Sequence, residues 1–334
     1  MSNSEIINPK IMMKKQEKKK EWLVIINPNA GRLKGSRDWK KIRSLLVKHD
    51  FNFHEVFTER PGHATEISKE YIEEGYKRII IVGGDGTLNE VINGLFLQTR
   101  YPTTEITFGM ISIGTGNDWG RMLNIPHDYE EAILTIKECR TFIQDAGIVS
   151  YKNDDANVDR YFVNIAGLGF DAIVTKKANR LKEKGKGGPL LYFATIFSSL
   201  MNYKHVNAVI NIDGKNYKNK IFSMNIGIGK YNGGGMMQVP GAIADDGLFD
   251  LTVINKMSKP NIILSLRKLY NGKIIRHSRV DTYTGKSISI DSDSKILLET
   301  DGESLGHTPM EFQIIPRSVQ VISGPLKTKA FQVA

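Results

Sequence analysis

The sequence predicts an α/β protein in two parts: an N-terminal parallel, doubly wound sheet domain and a C-terminal antiparallel β-sandwich domain. Three observations carry that prediction. Up to about residue 146, short apolar runs alternate with amphipathic helical segments, the pattern of a parallel sheet covered on both faces. Three of those runs end in Gly- and Asn-rich loops, at Asn27–Gly31, Gly83–Thr87 and Gly114–Asp118. From about Ile143 the texture changes to short strand-like runs separated by Asp, Gly, Asn and Ser.

Trp22–Asn27 (WLVIIN) reads as the first strand and runs into Pro28, Asn29, Ala30 and Gly31. Ser36–His49 places Trp39, Ile42, Leu45 and Leu46 on one face of a helix. Phe51–Phe57 is a second strand closed by Thr58, and Pro61–Tyr76 a second helix. Arg78–Val82 is an apolar, β-branched run after its first residue. Gly83, Gly84 and Gly86 then bracket Asp85, and Thr87 stands at a helix N-cap position. Leu88, Val91, Ile92 and Leu95 follow at helical spacing. Ile106–Ile113 is the next strand and Asp128–Glu138 the next helix.

In the second half, strands are expected at Tyr161–Gly169, Val206–Asp213, Lys220–Ile228, Leu248–Asn255, Ser287–Asp291, Lys295–Glu299 and Met310–Ile315. Helices interrupt them near Pro189–Asn202 and Lys259–Lys273. The domain limits that follow are a flexible basic leader at 1–20, a first domain at 21–146 and a second at 147–315. A last strand-like run, Ser318–Ile322, is grouped with the first domain as part of about 316–330. There is no internal repeat.

The chain has 334 residues, 40% hydrophobic and 25% charged, ample for two cores. It carries no uninterrupted apolar run long enough to span a bilayer and no secretory leader pattern. Cys139 is the single cysteine, so no internal disulfide framework exists, in keeping with the cytoplasm. A net charge of +10 favours anionic partners. Part of the excess lies in Lys10, Lys14, Lys15, Lys18, Lys19 and Lys20, a solvated leader or a means of recruitment to an anionic leaflet. With no aromatic base-stacking platform and no helix-turn-helix pattern, no nucleic-acid partner is expected.

A strand, a glycine loop and a helix in that order let backbone amides meet a phosphate. Asp85 among those glycines calls for a cation between its carboxylate and the phosphates. Taken singly, the other acids have plain readings: Asp118 as a helix cap, Asp145 as a turn acid before Gly147, Asp301-Gly302 as a hairpin turn. Asp245-Asp246 likewise reads as an Asp-rich turn.

Gly83-Gly84-Asp85-Gly86-Thr87, Asn89-Glu90, Gly114-Thr115-Gly116-Asn117-Asp118, Gly233–Met237 (GGGMM), Asp245–Asp250 (DDGLFD) and Asp301-Gly302-Glu303 occur in that order. With them the chain resembles the diacylglycerol kinase superfamily, most of all its soluble bacterial lipid kinases, over nearly everything from Trp22 to Ile322. The resemblance implies a nucleotide-binding first domain, ATP in the cleft and a lipid hydroxyl as acceptor, with diacylglycerol converted to phosphatidic acid. It places nucleotide contacts on Asn27, Pro28, Asn29, Ala30, Gly31, Thr58, Gly83, Gly84, Asp85, Gly86, Thr87, Leu88, Asn89 and Thr115. Asp85, Asp118 and Asp145 are expected to meet at the cleft in a metal-and-water network. Glu303 is implied as general base, with Asp301 helping to build the site. A structural Mg²⁺ is implied at Asp246 with the carbonyls of Ile243 and Leu248, a donor set that suits a hard ion.

The lipid is expected near Tyr231–Met237 and Lys182–Phe197, where Leu190, Leu191, Phe193, Ile196 and Phe197 follow Arg180, Lys182, Lys184 and Lys186. Basic residues beside an apolar helix fit peripheral docking on an anionic membrane surface at the inner face; a core helix with a solvated leader fits the same residues. The resemblance is compatible with a homodimer. The alternatives are an NAD kinase, which shares GGDGT, and a kinase of another lipid alcohol such as phosphatidylglycerol. A Rossmann dehydrogenase fits less well, because the glycines around Asp85 are not spaced GxGxxG and the loop does not follow the first strand. A nucleotide sensor without catalysis is disfavoured by the presence of Asp85, Asp118, Asp145 and Glu303 together.

Overall fold

The apolar runs of the first half become β1 (Trp22–Ile26), β2 (Phe53–Phe57), β3 (Arg78–Gly83) and β4 (Thr107–Ser112) in a computed structural model. The structure describes residues 21–325 apart from Thr115 and 184–187, so the basic leader, Lys184 and Lys186 lie outside the described residues. β1, β3 and β4 are buried along nearly their whole length, which is why they read as continuous apolar runs. They pair in parallel in the order β2-β1-β3-β4. The helices between them are α1 (Ala30–Lys48), α2 (His63–Glu73) and α3 (Asp85–Leu97), followed after β4 by α4 (Asp118–Met122) and α5 (Tyr129–Glu138). Order 2-1-3 puts a topological switch between β1 and β3, and the loops after both strands open onto that crevice.

Two helix starts differ from expectation. α1 begins at Ala30 rather than Ser36, but Gly31, Arg32 and Leu33 have φ of 60, 60 and 64° inside it, a left-handed turn before the regular helix. α3 begins at Asp85, with Gly84 as N-cap, so Thr87 lies within the first turn and is not the cap.

The second half contains β5 (Thr141–Asn153), β6 (Ala156–Phe162), β7 (Ile165–Gly169), β8 (Val206–Ile212), β9 (Lys215–Gly227), the two-residue strands β10 (Tyr231–Asn232) and β11 (Met236–Met237), β12 (Phe249–Asn255), β13 (Val280–Gly285), β14 (Ser287–Ser292), β15 (Leu297–Thr300) and β16 (Glu303–Ile322). Helices α6 (Phe170–Glu183), α7 (Pro189–Asn202) and α8 (Lys259–Leu269) pack outside them. An open sandwich does not result. β9, β7, β15, β16, β14 and β8 pair antiparallel in a closed ring, with β8 returning to β9. Closure removes the free edges that a sandwich leaves. Leu168, Ile210, Ile226, Leu251, Ile288 and Phe312 fill its core.

Two long strands fuse the halves into one sheet. β5 crosses the expected boundary at residue 147, and β16 runs antiparallel to it from His307 to Ile322. The end of β16 lies parallel to β4, with Gln320 opposite Thr107 and Val321 opposite Phe108. The β5–β16 register shifts between His307 and Met310 and between Ile315 and Val319. Pro309 and Pro316 fall in those shifts, where a strand tolerates a missing donor. The expected strand Met310–Ile315 is therefore the middle of a much longer one. Among the described residues no helix is long and apolar enough to cross a membrane.

Candidate active site

The three glycine loops converge at the carboxyl ends of β1, β3 and β4. Asn27 Nδ2 donates to Thr87 Oγ1 at 2.9 Å and its Oδ1 accepts from Asn29 N at 3.0 Å, tying the first loop to the second. A methyl group on Gly31 would collide with the Ile113 carbonyl, and Gly84 approaches Gly114 closely as well, so the loops touch backbone to backbone. Thr58 is buried at the end of β2, its N–H donated to Ile26 O. Thr115 lies outside the described residues. The first amides of a helix have no intrahelical acceptor, and the N-cap of α3 is Gly84, which has no side chain to take them, so the N-terminus at Gly84-Asp85-Gly86 suits an anion.

Leu88 and Asn89 do something else. Leu88 is fully buried and its N–H is already donated to Gly84 O. Asn89 is also fully buried; its Nδ2 donates to Asp301 Oδ2 at 2.9 Å and to Tyr161 O at 3.0 Å, while its Oδ1 accepts from Arg160 Nε at 2.8 Å. Leu88 packs in the core of the first half and Asn89 ties the two halves together, because the fourth and fifth positions of α3 turn away from the loop. Neighbouring Glu90 accepts from Gly62 N and Ala64 N, capping α2.

Asp85 accepts from Asp118 N at 3.3 Å and Trp119 N at 3.2 Å, capping α4. Asp118 in turn accepts from Gly234 N at 2.7 Å and Gly235 N at 2.6 Å, donors from the second half of the chain. That grip requires Gly233, Gly234 and Gly235 at φ of 67, 84 and 96°, a left-handed run that side chains disfavour. Burial pushes both carboxyls upward, and for Asp85 the nearby Asp118 charge adds to it. A Cβ on Gly116 would lie 3.0 Å from Asp85 Oδ2 and 3.2 Å from Asp118 Oδ2, so the two acids face one narrow space.

The Asp301-Gly302 pair is a hairpin turn, with φ of 49 and 85° between β15 and β16. It is also part of the site. Asp301 is buried and takes four donors: Asn89 Nδ2 and Val163 N on Oδ2, Asn164 N and Ile165 N on Oδ1. The turn makes Glu303 the first residue of β16 and lays its carboxylate on the glycine loop; a methyl group on Gly86 would collide with Glu303 Oε1.

Asp145 is elsewhere. It was expected at a strand end with Asp85 and Asp118, but it sits inside the thirteen-residue β5. Its carboxylate accepts from Gly247 N at 2.7 Å and Arg317 N at 2.6 Å, and the charges raising it are Asp246 and Asp245, after burial. It braces the Asp245–Leu248 turn. There Asp246 Oδ1 accepts from Leu248 N at 3.0 Å, and burial followed by the Asp246 charge pushes Asp250 up to about 6. Asp145, Asp245, Asp246 and Asp250 thus repel one another at one turn, with Arg317 Nη1 3.9 Å from Asp245. Among the described residues no three acidic, His or Cys side chains converge into a metal cage. A hard divalent ion here would rest on the Asp246 carboxylate and turn carbonyls such as those of Ile243 and Leu248, and the excess of negative charge over Arg317 and Lys230 suits one.

Three features escaped the sequence reading. Glu299 is fully buried and pushed up to about 8 by burial. Asp171, at the start of α6, accepts from Ser223 Oγ and from Asn225 Nδ2 at 3.0 Å. Beside it lies a cavity of about 50 Å³ lined by Phe170, Tyr192, Ile196, Phe222, Met236 and Ile262 among others. Asn225 Oδ1 and Gln238 Oε1 are buried at its polar end without hydrogen-bond partners. The available signal was an acid within an apolar run, LLET in one case and GFDAIV in the other. α7 has two apolar faces: Ile196 and Leu200 are buried, whereas Leu190, Phe193, Phe197 and Met201 are exposed.

Comparison with known proteins follows the same division. Residues 21–148 match the model of the diacylglycerol kinase catalytic domain, and residues 164–323 match that of the YegS C-terminal NAD kinase beta sandwich-like domain. A diacylglycerol kinase of Staphylococcus carnosus is 30% identical over 298 residues, covering 89% of this chain and 93% of the relative. The crystal structure of a candidate diacylglycerol kinase from Bacillus anthracis superposes with a TM-score of 0.74 at 27% identity, over 92% of this chain and 96% of that one. Yeast NADH kinase shares the fold, with a TM-score of 0.52 at 13% identity over 94% of this chain and 89% of that one.

Proposed function

The chain belongs to the diacylglycerol kinase family and is a lipid kinase; from that premise we propose that it transfers the γ-phosphate of ATP to diacylglycerol, giving phosphatidic acid. The observation that carries the proposal is the placement of Glu303 directly over Gly86 of the glycine loop. A base is useful only within reach of the hydroxyl it deprotonates, and the hydroxyl must stand in line with the phosphate. Glu303 comes from one half of the molecule and the phosphate loop from the other, so acceptor and donor meet between them.

In this reading the α3 N-terminus and the Asn27–Gly31 loop hold the phosphates. Glu303 takes the hydroxyl proton as the lipid oxygen bonds to the γ-phosphorus and the bond to ADP breaks. Asp85 and Asp118 are the groups to hold a catalytic Mg²⁺, and Asp246 a structural one; the ion supplies neutralisation of the phosphate charge. Asp118, gripped by Gly234 and Gly235, keeps the halves in register.

The acyl chains are assigned to the apolar cavity beside Tyr192 and Met236, which has to widen to take one. The exposed face of α7, a helix that packs against α6, is assigned to an anionic membrane surface, in line with the net charge of +10. The test is label transfer from γ-labelled ATP to a panel of diacylglycerol, phosphatidylglycerol and monoacylglycerol in mixed micelles, with NAD in parallel. Label in diacylglycerol is expected. Label in NAD alone, or in none of them, overturns the proposal.

A further inference from the structure

We infer that Glu299 is a positioning residue: it joins the glycine turn at Asn232–Gly235 to the Asp301-Gly302 hairpin and thereby sets where Glu303 stands. The catalytic consequence rests on the lipid-kinase reading above; the geometry does not.

Glu299 lies in β15, four residues before Glu303, and is wholly buried. Its Oε1 accepts from Asn232 Nδ2 at 2.6 Å and its Oε2 from Gly302 N at 2.9 Å. The opposite residue on β7 is Gly167, where a methyl group would collide with Glu299 Oε1, so the barrel wall is hollowed to admit the carboxyl. An apolar side chain would suit this wall better, since a buried carboxyl loses its hydration and recovers it only through matched donors. What the carboxyl adds is connection.

Those connections form a closed circuit. With Nδ2 held by Glu299, the Asn232 Oδ1 is turned to accept from Gly233 N at 2.8 Å, which starts the left-handed glycine turn. The next two amides of that turn grip Asp118, and Asp118 N donates to Asp85 beside the phosphate loop. On the other side Gly302 N fixes the hairpin whose next residue is Glu303, lying over Gly86. Donor loop, glycine turn and base are therefore linked through one side chain. Met236, at the end of the glycine turn, lines the apolar cavity, so the circuit also reaches the acceptor side.

The test exploits donor and acceptor reversal. Glu299→Gln leaves an amide facing the Asn232 amide, and Asn232→Asp leaves two carboxylates facing each other. When both substitutions are combined, the new amide at position 299 can donate to the new carboxylate at position 232 while its oxygen still accepts from Gly302 N. In the full chain assayed above pH 8, where the Glu299 carboxyl is ionised, each single variant is expected to lower kcat for lipid phosphorylation by roughly 100-fold, the scale of a small misplacement of a reacting group. KM for ATP should stay within about twofold, and the double variant should recover to within a few fold of wild type. Peptide-resolved hydrogen exchange over residues 231–237 and 299–305 is the second readout: both segments should exchange faster in the singles and return in the double. A double variant no better than either single in rate and exchange overturns the inference, as does a wild-type kcat and exchange in Glu299→Gln. If the wild-type chain labels no lipid, the lipid-kinase reading falls, and the exchange pattern alone decides the positioning.

Discussion

Two acidic clusters of this molecule look alike in sequence and do different work. The first, Asp85 with Asp118, faces the phosphate loop, and its hydrogen bonds come from α4 and from a glycine turn of the other half of the chain. The second, Asp145 with Asp245, Asp246 and Asp250, is held by the Asp245–Leu248 turn and by Arg317 at a bend of β16. In the first cluster the acids lie beside the Gly83–Thr87 loop, where the proposed function puts the phosphates of a nucleotide. In the second they brace the strands that fuse the two halves. An acid's role here follows from which backbone amides it accepts from, and that is a property of the fold.

The sharpest way to break the comparison is to remove charge from each cluster in turn. Asp85→Asn is expected to lower turnover by at least about 1,000-fold, the scale of losing an electrostatic group at the transferring phosphate. Its fold, read by circular dichroism, should be kept, because the amide oxygen can still accept from Trp119 N; the Asp118 N–H left without an acceptor lowers Tm by no more than one lost hydrogen bond. Turnover within tenfold of wild type would remove Asp85 from the reaction and leave the first cluster as structural as the second.

Asp118→Asn comes next. One of its two glycine donors then faces an amide N–H, so the grip on the glycine turn is halved. A loss of about 100-fold in kcat is expected, with faster hydrogen exchange over residues 231–237, because the cost arises from misplacement between halves. Unchanged exchange there would show that Asp118 acts on the nucleotide and not on the register of the two halves.

The second cluster should answer with stability. Asp145→Asn leaves either Gly247 N or Arg317 N without an acceptor in a buried place, which costs about 1–3 kcal/mol. A lower Tm with kcat within a few fold is expected. Asp246→Ala should leave ATP binding intact while reducing the rise of Tm on adding Mg²⁺ in the absence of nucleotide. A catalytic collapse in Asp145→Asn at unchanged Tm would restore Asp145 to the cleft and dissolve the distinction.

How far the sequence reached follows from the same contrast. The first cluster was legible because Gly83–Thr87 and Gly114–Asp118 sit at strand ends, and a strand, a glycine loop and a helix are neighbours in the chain. Asp145 was misplaced because β5 runs on through Gly147, where an Asp-Ala-Gly triplet suggested a turn. Thr87 reads as a cap in the sequence because Gly84, with no side chain, gives no capping signal. Leu88 and Asn89 were drawn into the nucleotide site with their loop, though helical geometry had already turned them inward. The barrel was missed since closure depends on β8 pairing with both β9 and β14, and no local pattern records a non-local pairing. Glu303 was reached only through the family resemblance; by itself Asp301-Gly302 says hairpin, and the hairpin is what places the base.

The smallest expected effect separates the clusters by pH. Glu299, linked to the first cluster, is pushed up to about 8, and Asp250, in the second, up to about 6, burial being the main cause for each. A carboxyl raised in the folded state holds a proton that the unfolded chain has already released. Its stabilising contribution is full below the ordinary carboxylate range of roughly 4 and is lost as pH rises through the folded value. Tm of the ligand-free chain should therefore fall from about pH 4 upward, less steeply beyond about pH 6 where Asp250 has ionised and levelling beyond about pH 8 where Glu299 has, with Asp85, pushed up to about 7, contributing between them. Mg²⁺ should flatten the part below pH 6, since a cation at Asp246 offsets the charge that appears on Asp250. Glu299→Gln should remove the fall between about pH 7 and pH 8 and leave the rest. A Tm that climbs steadily from pH 5 to pH 9 would mean that both carboxyls are ionised in the fold, with compensation beyond what the Asn232 amide and the Ile243 backbone provide.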